Sequence, residues 1–279
     1  MMRNIIKLIP LLIALSLNLV MAAVPRRVIS LAPALTEMVY FLEAGERLVG
    51  NTRFCDFPPP ALDITKVGGL LDLNLEIISS LRPDLVLLYP EQAVQVSALS
   101  RRSRMLTLPH SSLADIWLAM HEISLALGLG QCGAEKAVVL REELRRITAG
   151  RAGRQISRVL LVAGRDPDRL RNMTLIGGRD FLNELLACAG LENAYRGEIP
   201  YPQVSMESII SMNPDLIIEL SVFFEGINEE RVLALWREYP LLNAVRRGRV
   251  KVIRDSFWLR PGPRVVEIAA AMAALAEDD

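Results

Sequence analysis

The chain has 279 residues, 51% of them hydrophobic, and carries 32 Lys or Arg against 32 Asp or Glu. This composition is typical of a globular protein long enough for two domains, and it excludes a disordered chain. Because the formal net charge is zero and no basic run with interleaved aromatic residues occurs, it also argues against nucleic acid as a partner.

Residues 1–22 have the features of a signal peptide. Arg3 and Lys7 give a positive start, an apolar stretch follows, and small residues favour cleavage after Ala22. A transmembrane anchor is the alternative, but Lys7 and Asn18 leave fewer than about 20 apolar residues in a row. Since no cysteine stands at the cleavage site, we expect a freely soluble protein in the periplasm of a double-membraned bacterium. Its mature form would have 30 basic and 32 acidic residues.

Strands and helices alternate along the rest of the chain. In the first half, the pattern predicts strands at Val28–Leu31, Leu48–Thr52, Leu85–Leu88 and Met105–Leu108, and helices at Ala34–Glu43, Leu75–Leu81 and Leu113–Leu127. In the second half, it predicts strands at Val159–Ala163, Leu216–Leu220 and Val250–Ile253, and helices at Asp180–Ala189, Met206–Met212, Glu229–Arg237 and Arg264–Ala276. Such alternation predicts an α/β fold with mainly parallel sheets covered on both faces.

One sequence phrase occurs twice, 131 positions apart. Residues 76–86 and 207–217 each begin with a glutamate, Glu76 or Glu207, and run through a short helix to a Pro-Asp turn before an apolar strand. Two such units predict two similar lobes. A cleft between two lobes is a natural place for a ligand.

A stiff helix is predicted to join the lobes. Residues 134–149 contain neither Gly nor Pro and place apolar side chains on one helical stripe, and Gly150 supplies a stop. Lobes joined by a helix should rock by small angles. The predicted organisation is a signal peptide at 1–22, an N-terminal lobe at 23–130, a connecting helix at 131–155 and a C-terminal lobe at 156–279.

The sequence offers no pattern for catalysis or for a resident metal. His110 and His121 lie outside metal-ligand spacing, and no nucleophile-elbow motif occurs, so we predict neither an enzyme nor a resident cofactor. Cys55, Cys132 and Cys188 permit at most one disulfide, which the sequence does not assign. Cys188 lies in an apolar run and is expected to be a buried small hydrophobe.

Five stretches, in order along the chain, carry a resemblance to a known family. They are residues 27–33, 49–58, 67–76, 200–207 and 260–266. Together they resemble the periplasmic substrate-binding proteins with a helical backbone, class III, which serve ABC importers of cobalamin, haem and iron-siderophores. The similarity covers nearly all of the mature chain.

Within this class, the phrases Asn74-Leu75-Glu76 and Pro200 to Ser205 are most like those of cobalamin binders. The resemblance implies that aromatic side chains from both lobes sandwich a corrin ring and that polar side chains contact its periphery. The matching residues are Phe54, Tyr89 and Tyr201 for stacking, and Arg260 with Asp255 or Ser256 for polar contacts. The chain departs from the closest cobalamin relatives at Leu70 and Thr174, where aromatic residues are expected.

The resemblance also implies a role for the repeated glutamates. Glu76 and Glu207 match the residues that dock with arginines of the two subunits of an inner-membrane permease, although a carboxylate at a helix start is also favoured by the helix dipole. The protein is then a monomeric receptor for a corrinoid. The alternatives are haem or an iron-siderophore as cargo, with Tyr89 or Tyr201 as an oxygen donor to iron, and a periplasmic ligand-sensing module.

Overall fold

The computed structural model describes residues 24–155, 157–222 and 228–277. The signal peptide predicted at 1–22 lies outside these residues. The strands are β1 (Val28–Ser30), β2 (Leu48–Asn51), β3 (Leu85–Leu88), β4 (Arg104–Thr107), β5 (Arg158–Gly164), β6 (Met173–Leu175), β7 (Glu192–Asn193), β8 (Gln203–Val204), β9 (Leu216–Leu220) and β10 (Val250–Ile253). The helices are α1 (Pro33–Phe41), α2 (Leu75–Ser80), α3 (Leu113–Ala126), α4 (Cys132–Gly150), α5 (Phe181–Cys188), α6 (Met206–Met212), α7 (Glu229–Arg237), α8 (Asn243–Arg246) and α9 (Val265–Leu275).

The two lobes have related sheets. The N-terminal sheet is parallel throughout, in the order β2-β1-β3-β4. In the C-terminal sheet β5, β9 and β10 are parallel neighbours, matching β1, β3 and β4, while β6 and β8 extend the other side in antiparallel pairing and β7 pairs with β5. The α/β fold with two similar, mainly parallel lobes is confirmed. The short strands β6 to β8 were not predicted.

The repeated phrase is a structural repeat down to its backbone. Arg82 and Asn213, at equivalent positions after the two helices, both have a φ of +43°. The carboxylate of Asp84 accepts hydrogen bonds from the backbone N–H groups at the start of β1, and that of Asp215 accepts one from the N–H of Arg158 at the start of β5. Each Pro-Asp turn therefore ties a helix end to the first strand of its lobe.

The connecting helix α4 belongs to a core that both lobes share. It packs against α3 of the N-terminal lobe and against α5 and α9 of the C-terminal lobe. Its buried Leu140 and Leu144 join one continuous apolar cluster with Leu35 of the first lobe and Leu161 of the second. Two smaller clusters cover the opposite face of each sheet. The helix ends at Gly150, one residue later than the sequence predicts, and Arg151 is its C-cap.

The shared core leads to a prediction about motion. Because separating the lobes would expose buried apolar side chains, ligand binding is expected to change the radius of gyration by about 1 Å or less. Small-angle scattering of the protein with and without a saturating ligand measures this change. A compaction of several ångströms would contradict the rigid connection.

The cysteines are free in the structure. Cys55 is buried, whereas Cys132 and Cys188 are half-buried, so Cys188 is less buried than the sequence predicts. The Cys55 sulfur lies 3.2 Å from the hydroxyl oxygens of Thr36 and Thr52. Burial raises the pKa of both the Cys55 and the Cys188 thiol, which keeps them protonated and unreactive.

Candidate functional site

The candidate site combines loops that follow the carboxyl ends of parallel strands β3, β4 and β10 with the loops that precede α5 and β8. In the N-terminal lobe, Tyr89 follows β3 and His110 follows β4. Loops at the carboxyl edge of an open α/β sheet are the usual place for ligands. The ring centroids of Tyr89 and His110 are 4.0 Å apart with an interplanar angle of 40°, so the two side chains pack as one aromatic unit.

Tyr89 is half-buried, and its hydroxyl lies in the interior. The hydroxyl oxygen is buried and has no hydrogen-bond partner among the described residues. Burial raises the pKa of Tyr89, and the carboxylates of Glu37 and Glu91 raise it further. A phenol held protonated in the interior is available for packing and not for coordinating a metal ion from the cleft.

Tyr201 is the aromatic residue of the C-terminal lobe at this site. Its hydroxyl donates a hydrogen bond to Oδ2 of Asp180 at 2.6 Å, and Oδ1 of Asp180 accepts one from the Leu182 N–H at the start of α5. The residue as a whole remains 56% exposed, so its ring faces solvent while its hydroxyl is anchored. Burial, followed by the adjacent Asp180 carboxylate, raises the pKa of Tyr201.

Side chains of the N-terminal lobe are close enough to those of the C-terminal lobe to influence them electrostatically. Burial raises the pKa of Asp180, and the His110 side chain of the other lobe limits that rise. Likewise the Glu91 carboxylate contributes to the raised pKa of Tyr201. Nε2 of His110 lies 3.2 Å from Oε1 of Glu91. His110 and Glu91 of the N-terminal lobe therefore lie near the Tyr201–Asp180 pair of the C-terminal lobe.

Arg260, predicted to contact the ligand, is held by the N-terminal lobe. Its guanidinium donates two hydrogen bonds to the Asp56 carboxylate and one to the Glu37 carboxylate, and it also donates to the Ser256 hydroxyl. The side chain is only 10% exposed. The Arg260 guanidinium lowers the pKa of Asp56. Both terminal nitrogens of Arg260 are hydrogen-bonded, so its side chain links the C-terminal lobe to the N-terminal lobe.

Arg264 makes a second tie to the same carboxylate. Its Nε donates to Oε2 of Glu37 at 2.8 Å and its terminal nitrogen donates to Oε1 at 2.6 Å, a bidentate pair. The guanidinium also lies over the rings of Phe57 and Phe257, at 4.2 Å and 4.6 Å from their centroids. Glu37 is 4% exposed. One buried carboxylate of the first lobe thus receives two arginines of the second.

Phe54 and Asp255 are both accessible. Phe54 is 45% exposed, its ring lies 5.1 Å from the Arg53 guanidinium, and its carbonyl oxygen accepts a weak hydrogen bond from Arg260. Asp255 is exposed at the carboxyl end of β10, where its carbonyl oxygen caps the 3₁₀ turn Ser256–Leu259. Phe54, Tyr89 and Arg260 are gathered around Glu37 and Asp56, while Asp255 lies beyond Ser256.

Glu76 and Glu207 lie exposed in the first turns of α2 and α6, which Asn74 and Ser205 cap. Neither carboxylate forms an ion pair within the described part of the chain. The Ser205 hydroxyl lowers the pKa of Glu207. Both glutamates are therefore exposed at equivalent places of the two lobes.

Sequence reasoning missed His110, Glu91 and Asp180. The rule that selected Tyr89, its place at the carboxyl end of a strand, applies equally to His110 after β4, but the histidine was weighed only as a metal ligand. Asp180 lies at a helix start, where an acidic cap is common and gives no functional signal. Within the described residues, no three His, Cys, Asp or Glu side chains are grouped so as to hold a metal ion.

Comparison with known proteins finds relatives of similar sequence and fold. No protein-family model matches the chain. A vitamin B12-binding protein of Vibrio cholerae is 28% identical over 251 residues, which cover 86% of this chain and 85% of that protein. An uncharacterized ABC transporter substrate-binding lipoprotein of Bacillus subtilis is 27% identical over 87% of this chain and 77% of its own length. A periplasmic heme-binding protein of Pseudomonas aeruginosa has the same fold, with a TM-score of 0.76, 26% identity, and coverage of 90% of this chain and 92% of its own.

Over most of its length the chain is similar in sequence and fold to periplasmic substrate-binding proteins of the two-lobe type. These relatives are named as binding proteins and not as enzymes. The chain has the two lobes and the connecting helix, α4, that this similarity implies, and residues of both lobes form its candidate site. Across residues 24–155, 157–222 and 228–277, no helix is both long and apolar enough to cross a bilayer.

Proposed function

We propose that this protein is the class III receptor of an ABC importer, that it captures a corrinoid between its lobes, and that it delivers this cargo to an inner-membrane permease. The observation that supports a corrinoid is that both lobes supply aromatic side chains. These are Tyr89 with His110 on one lobe and Tyr201 on the other. Aromatic rings from both lobes suit a large macrocycle, because its faces can stack on them. The relatives named for vitamin B12 support the same cargo.

The hydroxyl groups of the tyrosines also favour a corrinoid over iron bound by a phenolate. The Tyr89 hydroxyl is buried, and the Tyr201 hydroxyl is engaged by Asp180. An iron ion in the cleft would reach the first only after a rearrangement and the second only at the cost of a charge-assisted hydrogen bond. A corrin ring needs only the ring faces.

Haem is the second candidate, because the heme-binding protein of Pseudomonas aeruginosa shares the fold over nearly the whole chain. The absorbance spectrum of protein purified from its native periplasm separates the cargos, since a corrin, a haem and a ferric siderophore absorb differently. A corrin spectrum, with calorimetric binding of cyanocobalamin, is expected. Binding of haemin without binding of cyanocobalamin would overturn the corrinoid.

Export and docking complete the proposal. Residues 1–22 would direct the chain to the periplasm, and Glu76 and Glu207, exposed at equivalent helix starts, would meet arginines of two permease subunits. A module that only senses a ligand would need no pair of glutamates for docking to a permease. Transport by the intact receptor therefore separates the importer from the sensor.

Removing the stacking rings should weaken cargo binding. Tyr201→Ala and Phe54→Ala are each expected to weaken cyanocobalamin binding by about 1 to 3 kcal/mol, because each truncates an aromatic contact. Tyr201→Phe keeps the ring and is the matched control, with a much smaller loss. Calorimetric titration measures all three. Equal losses for Tyr201→Ala and Tyr201→Phe would assign the effect to the hydroxyl and contradict stacking.

Tyr89 needs a different variant. Its ring packs against the core, so Tyr89→Ala would cost folding stability as well as binding. Tyr89→Phe removes only the unpartnered buried hydroxyl. It is expected to bind cyanocobalamin like the unmodified protein and to be at least as stable.

A further inference from the structure

Arg260 holds two carboxylates that differ in their exposure. The side chain of Glu37 is 3% exposed, whereas that of Asp56 is 52% exposed. The two terminal nitrogens of Arg260 donate to the two oxygens of Asp56, Nη1 to Oδ1 at 2.5 Å and Nη2 to Oδ2 at 2.9 Å. In this parallel pairing a guanidinium binds a carboxylate or a phosphate. The exposed carboxylate therefore occupies the anion-binding edge of Arg260.

Arg260 would keep its position without Asp56. Its Nη1 also donates to Glu37 at 3.1 Å, and its Nη2 donates to the Ser256 hydroxyl at 2.6 Å. Glu37 is fixed in turn, because Arg264 holds it in a bidentate pair. The Arg260 guanidinium is thus held by neighbours that do not depend on Asp56, and a preorganised fork binds an anion at a smaller cost in conformational freedom.

Asp56 can leave Arg260 at a small cost. Hydrogen bonds from the Arg260 guanidinium lower the pKa of Asp56, so the carboxylate is charged at neutral pH. An exposed charge recovers its hydration when it turns into solvent, and exposed ion pairs contribute little to stability. Arg260, with a side chain 10% exposed, does not recover hydration in the same way. A second anion that replaces Asp56 would leave the charge balance of Arg260 unchanged.

The Arg260 guanidinium lies among residues of the cargo cleft. Its Nη2 is 3.4 Å from the carbonyl oxygen of Phe54, whose ring is predicted to stack on the cargo. Its other partner Ser256 follows β10 at the carboxyl edge of the C-terminal sheet. Loops at this edge are where open α/β sheets bind ligands. An anionic group attached to a macrocycle in the cleft would therefore meet Arg260.

From these contacts we infer that Asp56 holds the place of an oxyanion of the cargo, a phosphodiester or a carboxylate, and that Arg260 exchanges Asp56 for this group when the cargo binds. The inference rests on the proposed receptor function and narrows its cargo to a macrocycle that carries such a group. Asp56 is then a specificity-determining residue. A cargo with an oxyanion gains a bidentate pair, whereas a cargo without one leaves Asp56 in place.

Calorimetric titration of the mature protein with cyanocobalamin and with dicyanocobinamide tests the exchange. The first compound carries a phosphodiester in its nucleotide arm, and the second lacks that arm. Asp56→Asn removes the competing carboxylate and is expected to raise the preference for cyanocobalamin over dicyanocobinamide about three- to fivefold. Arg260→Gln removes the guanidinium and should lower the same preference by about tenfold or more.

The ratio of the two affinities is a measure that partial unfolding does not change. Only the folded fraction binds, so a partly unfolded variant weakens both ligands by the same factor. Glu142→Gln is the matched control, because it removes one carboxylate from a pair with exposed arginines on α4. Its preference should equal that of the unmodified protein. An equal rise for Glu142→Gln would assign the effect to overall charge and overturn the exchange.

Haemin and its dimethyl ester distinguish the source of the oxyanion. Haemin carries two carboxylates, which the ester blocks. If Asp56→Asn raises the preference for haemin over its ester and has no effect on the corrinoid pair, the oxyanion is a carboxylate. Binding of none of the four compounds would overturn the proposed cargo and the inference together. Binding of these compounds with no rise in either preference for Asp56→Asn would overturn the inference alone.

Discussion

Glu37→Gln is expected to lower the free energy of unfolding by about 3 to 5 kcal/mol, the range for removing one partner of a buried ion pair. The carboxylate is 4% exposed and receives Arg264 in a bidentate pair and Arg260 at 3.1 Å. The uncharged amide would leave two guanidinium groups without their central anion. Chemical denaturation followed by circular dichroism measures the loss.

A second glutamate of the same region provides the control. Glu43 forms an ion pair with Lys136 at 2.8 Å, but its side chain is 82% exposed. Glu43→Gln should therefore change stability far less, because solvent screens an exposed pair. Similar losses for the two variants would contradict a buried tie between the lobes. If the tie holds the lobes together, scattering should also show a larger radius of gyration for Glu37→Gln than for Glu43→Gln.

Glu76→Arg together with Glu207→Arg is expected to abolish receptor-dependent uptake of cyanocobalamin while leaving its affinity within about twofold. Both side chains are exposed at equivalent positions of the two lobes, and a two-fold permease presents two like patches. Two contacts on one rigid body act together, so reversing both charges should abolish productive orientation. Uptake is measured in the native bacterium after its own copy has been replaced by each variant.

The matched control reverses two other exposed glutamates that also begin helical turns, one in each lobe. Glu46→Arg with Glu230→Arg changes the net charge by the same amount outside the repeated phrase. Normal uptake is expected for this control. Normal uptake by the Glu76 and Glu207 variant would contradict docking and leave both glutamates with a role at the helix start only. Loss of uptake in both variants would assign the effect to overall charge.

Local patterns predicted most of the fold. Met206–Met212, Leu216–Leu220, Glu229–Arg237 and Val250–Ile253 have the bounds expected from periodicity. In these segments neighbouring residues carry the signal, because a helix stripe or an apolar run is set within a few positions. The strands β6 to β8 have two or three residues each, too few to show a period, and they form only by pairing with strands distant in sequence.

The candidate site was less predictable, and Arg260 shows why. The sequence places it in a Pro-rich loop, where an arginine that contacts a ligand and one that forms a structural ion pair have the same sequence pattern. Its partners Asp56 and Glu37 lie 204 and 223 positions away along the chain. Nothing local distinguishes an arginine that meets a carboxylate of the other lobe from one that faces an empty cleft.

The sequence by itself determined the two α/β lobes, their repeated unit with Glu76 and Glu207, and the helix between them. Each rests on spacing and on turn chemistry that act over a few residues. Only the tertiary structure decided that the lobes share one core, that Glu37 collects two arginines, and that the Tyr89 hydroxyl points inward while Tyr201 is anchored by Asp180. These features depend on which distant side chains exclude water together, and burial determines which charged and polar groups must pair.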